Sequence, residues 1–149
     1  MAGVKDLKLW QEAVALAAEV VRAARHSMRK ERNMFLERLI STASALPESI
    51  AEGYARSEAL DQQRLFEASA RSLSALETQL AIAKIADLIP GGVVTPIITR
   101  AATVGRLLSG YLTYIERQRS AEREEGMLRI SPAAAASPLR KALDEIYCA

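Results

Sequence analysis

Few residues of this chain are placed to do covalent chemistry. His26 is the only histidine and Cys148 the only cysteine, and they stand at opposite ends of the sequence. A metal centre with nitrogen or sulfur donors needs such side chains clustered. A nucleophilic cysteine needs a paired base and a held geometry, which a position next to the last residue supplies poorly. No phosphate-cradling glycine loop or nucleophile elbow occurs, and Gly91-Gly92 reads as a bare turn pair. The expectation is no catalytic residue, no metal and no cofactor. Two carboxylates stand out, Glu52 and Glu77, each beside an apolar stripe. A carboxylate is costly to bury unless paired, so Arg38 or Arg71 is expected to tie these glutamates across helices and fix their register. An acid–base reading would require a substrate pocket, and the sequence does not build one.

Positive charge offers the remaining chemistry. Arg22, Arg25, Arg29, Lys30, Arg32 and Arg38 face only Glu31 and Glu37 in the same stretch. Arg100, Arg106, Arg117 and Arg119 form a second basic set. Clustered Lys and Arg suit phosphate contact with RNA or DNA. Few aromatics interleave the arginines, Phe35 alone in the first set, so such binding would be backbone-led and weakly sequence-specific. The plainer alternative is a solvated helix end whose cations complement the helix dipole.

Helices must position all of these residues. The chain has 149 residues, one domain's worth, with 20 Lys plus Arg against 18 Asp plus Glu. Half of it is apolar but only 5% aromatic. The N-terminus has no signal-peptide pattern, and no window approaches a membrane span of ~20 apolar residues. A soluble, cytoplasmic protein without membrane contact is expected. Trp10, Val14, Ala17, Val21, Ala24 and Met28 trace one face of a helix over residues 7–29, with Asp6 as N-cap. Leu36, Ile40, Ala43, Leu46 or Pro47, and Ile50 mark a second over 31–56, kinked at Pro47. After a polar joint at 57–62, with Asp61 or Ser57 as cap, Phe66, Ser69, Leu73, Leu76, Leu80 and Ala83 mark a third. Thr95 as N-cap and Pro96 at the first turn open a fourth, followed by Ile97, Ala101, Val104, Leu108, Tyr111 and Ile115 to about Arg119.

Four such helices with short joints predict an all-α, antiparallel up-down four-helix bundle over residues 1–119. Residues 120–149 read as a linker and a short C-terminal amphipathic helix, capped at Ser137 and built on Leu139, Ala142, Leu143, Ile146 and Tyr147. Beside its core stripe the fourth helix carries a second one, Ile98, Ala102, Gly105, Ser109 and Leu112. Either this helix packs deeply between two neighbours, or the second stripe is an interface between subunits.

Three segments carry a family likeness: D-L-K-L-W-Q at 6–11, L-P-E-S-I-A-E-G-Y at 46–54 and S-L-S-A-L-E-T-Q-L at 72–80. They resemble the bacterial four-helix-bundle proteins encoded in intervening sequences of large-subunit ribosomal RNA genes. That family is related to the accessory variability determinant of diversity-generating retroelements. Trp10, Pro47, Ile50, Glu52, Gly53 and Glu77 fall on the family's motif positions. The chain departs from the pattern at Ile40 and Ser41, where members carry basic residues, and at Ser49 and Ala75. The resemblance implies a homopentameric bundle. For the retroelement relatives it implies nucleic-acid binding and contact with a reverse transcriptase; for most others it implies no activity. The expected function is therefore a non-enzymatic homo-oligomeric scaffold or interaction module, with backbone-led RNA or DNA binding as the alternative.

Overall fold

The computed structural model describes residues 3–128. After a short 3-10 turn at Val4–Asp6 come four helices: α1 (Lys8–Ser27), α2 (Met34–Ala55), α3 (Ala59–Ile85) and α4 (Gly91–Leu128). Each helix packs on its sequence neighbour, and α4 closes the bundle against α1. The course of the chain is up and down. Lys84 near the end of α3 donates to Thr95 near the start of α4, while Arg119 far along α4 donates to Gln63 near the start of α3. The all-α four-helix bundle is thus the fold. The linker at 131–137 and the short helix expected from Ser137 lie outside the described residues.

The core is aliphatic and alanine-lined. Leu16, Leu36, Leu39, Leu46, Leu76, Leu80 and Leu108 are buried, with Ala13, Ala24, Ala43, Ala83 and Ala101 between them. All six positions of the expected α3 stripe are buried. In α4, Tyr111 is half-buried and the other five are covered. Of the expected α1 stripe, Ala17 and Ala24 are buried, but the deepest face lies one position away. Leu9, Ala13, Leu16, Val20 and Ala23 face the core, whereas Val14 is exposed and Trp10, Val21 and Met28 are half-buried at its edge. Two parallel apolar stripes share this helix, and the one with leucines wins because it removes more apolar area from water.

Helix ends differ more from expectation. Asp6 does not cap α1. Its Oδ2 accepts from Gly3 N–H at 3.0 Å within the 3-10 turn, and Leu7 precedes the helix without a side-chain cap. α2 starts three residues later than expected, where Asn33 Oδ1 accepts from Leu36 N–H at 3.1 Å. It then runs on as one helix through buried Pro47. Neither Asp61 nor Ser57 caps α3, which begins directly after Glu58; Asp61 lies in its first turn. α4 begins a turn before Thr95. The Pro90 carbonyl accepts from Val93 and Val94 N–H at 2.9 and 3.1 Å, so Gly91 and Gly92 open the helix and Pro96 lies inside it. At its far end α4 passes Arg119 and continues to Leu128, because residues 120–126 are rich in good helix formers.

Candidate nucleic-acid interface

The C-terminal half of α1, the joint 28–33 and the first turns of α2 form one end of the bundle. Arg22, Arg25, Arg29, Lys30, Arg32 and Arg38 are all exposed there. Arg22 and Arg25 lie on the exposed side of α1, away from the Leu16–Val20–Ala23 core face, and Arg29 follows in the joint. Among the described residues, one of the six cations is in an ion pair: Arg32 grips Glu37 Oε1 through Nε and Nη2 at 2.8 and 2.6 Å. That pair sits in water and holds little energy. The end therefore presents mostly solvated, uncommitted positive charge in a form a phosphate backbone can use.

The second basic set behaves differently. Arg100 is not a surface cation available to a ligand. Its Nη1 meets Glu12 Oε2 at 2.8 Å and its Nε meets Glu19 Oε1 at 2.7 Å, so it bridges α4 to two turns of α1. This charge tie joins two helices, the role expected of Glu52 and Glu77. Glu52 pairs within its own helix, with Arg56 at 3.0 Å, and both are about half exposed. Glu77, Arg38 and Arg71 are exposed. Register through Glu52 or Glu77 is therefore corrected to Arg100, whose i, i+7 carboxylate partners were legible as two acids on one face of α1.

Gly53 explains the most distinctive motif. A Cβ there would stand 3.1 Å from both Leu65 Cβ and Phe66 Cε2, so the glycine lets α2 lie directly against α3. Phe66 in turn stacks on Tyr111 of α4, centroids 5.1 Å apart, and Tyr111 meets Tyr114 edge-on at 6.0 Å. Burial, with the nearby Tyr54 and Tyr114 phenols, raises the Tyr111 pKa above its ordinary value. Four of the chain's seven aromatics thus gather in one cluster that sequence spacing did not reveal. Pro47 and Ile50 are buried and Trp10 is half-buried, all serving the core.

The second stripe of α4 divides. Ile98, Gly105 and Leu112 are half-buried, with Leu73 of α3 3.4 Å from the position a Gly105 Cβ would take; Ala102 and Ser109 are exposed. Beside the basic end, Arg22 and His26 also line a groove of about 490 Å³ against Ile89, Val93 and Pro96. Among the described residues no three His, Cys, Asp or Glu side chains gather as metal ligands, and no helix is long and apolar enough to cross a membrane.

Residues 5–110 match the family model described as 23S rRNA-intervening sequence protein. No curated protein matches the chain.

Proposed function

We propose, since this chain belongs to the 23S rRNA-intervening sequence protein family, that it is a cytoplasmic, non-enzymatic bundle that assembles with copies of itself and serves as a scaffold or interaction module. The supporting observation is the open flank of α4. Ala102, Ser109 and Gly110 are exposed, and a Cβ on Gly110 would meet nothing within 4 Å. A glycine inside a helix costs about 1 kcal/mol relative to alanine, and no contact within the bundle offsets it. Small side chains beside half-covered Ile98 and Leu112 let a second backbone approach. Light-scattering mass on the purified chain tests this, with a pentamer as the expected size. Ser109→Arg should reduce the mass to one copy at unchanged helicity. A wild-type chain that stays monomeric at high micromolar concentration overturns the proposal.

A second reading rests on the basic end. Uncommitted Arg22, Arg25, Arg29, Lys30 and Arg38 suit backbone-led binding of RNA or DNA, and assembly would repeat that patch around the particle. Contact with a reverse transcriptase, as in retroelement accessory proteins, belongs to this reading.

A further inference from the structure

We propose that the basic end of the bundle docks on an anionic lipid bilayer, with its cations on the headgroup phosphates and its protruding apolar side chains in the acyl boundary beneath. Among the described residues no helix is long and apolar enough to cross a membrane. A chain without a span was expected to make no membrane contact, yet a missing span leaves surface attachment open.

The apolar part of the argument is exposure. Met34 at the start of α2 is 86% exposed and Ile85 at the end of α3 is 84% exposed, with Ile82 and Val93 at 45% and 44%. Packing brings these residues to one level. Gly53 of α2 lies against Leu65 and Phe66 of α3. Equal steps back along α2 and forward along α3 then set Met34 opposite Lys84 and Ile85. Lys84 donates to Thr95 near the start of α4, and His26 near the end of α1 lines one groove with Val93. The ends of all four helices therefore meet there.

The charge at that end is positive after every acid is counted. Between residues 20–41 and 78–98, the six cations of the basic end and Lys84 stand against Glu31, Glu37 and Asp87, a surplus of four. Farther from the end, Arg100 is outweighed by Glu12 and Glu19, and Glu77 is exposed. The surplus thus belongs to the end itself. A nucleic-acid backbone uses those cations but leaves Met34 and Ile85 in water. A second copy approaching end to end brings the same positive charge against it. An anionic bilayer uses both features, as interfacial basic and apolar segments do. The apolar side chains project rather than line a hollow, which suits a fluid partner that yields around them better than a rigid protein surface.

Flotation of the full chain with vesicles tests this. The protein should float with equal parts phosphatidylglycerol and phosphatidylcholine, and stay behind with phosphatidylcholine alone. Exchanging Met34 and Ile85 together for serine should cut binding about tenfold. Both side chains are exposed, so helicity should hold, and any DNA gel shift should be unchanged. Arg29→Gln with Lys30→Gln should cut vesicle binding about 25-fold, at about fivefold per cation. Ile85→Trp should gain a blue-shifted emission on adding anionic vesicles, whereas wild-type Trp10, ~26 Å back along α1, should not respond. No flotation of the wild type overturns the proposal. Flotation that the serine pair leaves intact is charge contact alone and overturns the apolar docking. A serine pair that lowers the light-scattering mass assigns those side chains to contact between subunits and overturns it too. The exposed α4 flank at Ala102, Ser109 and Gly110 lies farther from this end, so self-assembly through it stands or falls separately.

Discussion

At the scale of single residues, the tightest constraint is at Gly53. Replacing it with alanine gains about 1 kcal/mol of helix propensity. The new methyl group, however, would sit 3.1 Å from Leu65 Cβ and from the buried Phe66 ring, and overpacking of this kind costs ~1–3 kcal/mol. Gly53→Ala is therefore expected to destabilise the bundle by about 1 kcal/mol net, a fall of about 3 °C in Tm for a chain of this size. Thermal unfolding by circular dichroism checks it, and a rise in Tm would show that the ring moves aside freely. Tyr111, on the far side of that ring, carries the pH dependence. Its pKa is raised in the folded chain, first by burial and then by Tyr54 and Tyr114. The folded state thus holds the phenol proton more tightly than the unfolded state does. The resulting stability is complete below the ordinary phenol pKa of 10.0 and is lost as pH rises through the raised folded value. Urea midpoints at pH 8 and pH 11 should diverge more for the wild type than for Tyr111→Phe; equal divergence in both would exclude Tyr111 as the source.

At the scale of elements, the informative place is the turn between α3 and α4. Leu88 N–H donates to Ala83 O at 2.9 Å and Asp87 N–H to Lys84 O at 3.2 Å, while Asp87 takes φ 58°. This is the paired-bond helix stop that glycine usually provides. Aspartate tolerates the left-handed region better than most residues, yet its Cβ is still penalised there. Asp87→Gly is expected to stabilise the chain by about 0.5–1 kcal/mol, readable as a higher urea midpoint at unchanged slope; a lower midpoint would mean that the carboxylate makes a compensating contact. The same turn explains what the sequence could and could not disclose. Helical periodicity located four helices and the α3 core face, because burying a stripe dominates the energy of each helix. Glycine is the commonest residue at such stops, yet the αL position falls to Asp87, and Gly91 and Gly92 instead open α4. Asn33 is of a type that caps helices and does so here, three residues after the expected start. On α1 two stripes of similar hydropathy compete: Ala17 and Ala24 of the expected one are buried, while the leucine-bearing stripe beside it lies deeper. The Arg100 bridge and the Phe66–Tyr111 stack were hidden for a different reason: they join residues far apart in sequence, and no local pattern encodes which helix faces meet.

At the scale of the whole molecule, charge is segregated although the total is only +2. Among the described residues, Arg100 is outweighed by two carboxylates, Glu12 and Glu19, so the second basic set loses it to bundle closure. The end built from residues 22–38 keeps a surplus of four positive charges, with Arg32 alone tied to a carboxylate. If that end binds nucleic acid, it does so by displacing counterions, and affinity must fall with salt at a slope of about −0.9 per phosphate contacted on duplex DNA. Gel shifts of a random-sequence duplex at 50 and 200 mM salt should show strong weakening at the higher concentration. Exchanging Arg22, Arg25 and Arg29 together for glutamine should flatten the slope by about three times that per-contact value if each cation meets one phosphate. Arg106→Gln and Arg117→Gln should leave the slope unchanged, since neither lies at that end. Arg22 and Arg25 are exposed on α1 and Arg29 is exposed in the joint after it, so the triple variant should keep its helicity and loss of binding could not be blamed on unfolding. A slope that responds equally to both sets of substitutions would spread the interface along α4. The absence of any shift at 50 mM salt would reduce the basic end to a solvated helix terminus, its cations held in place only by the dipole of α1.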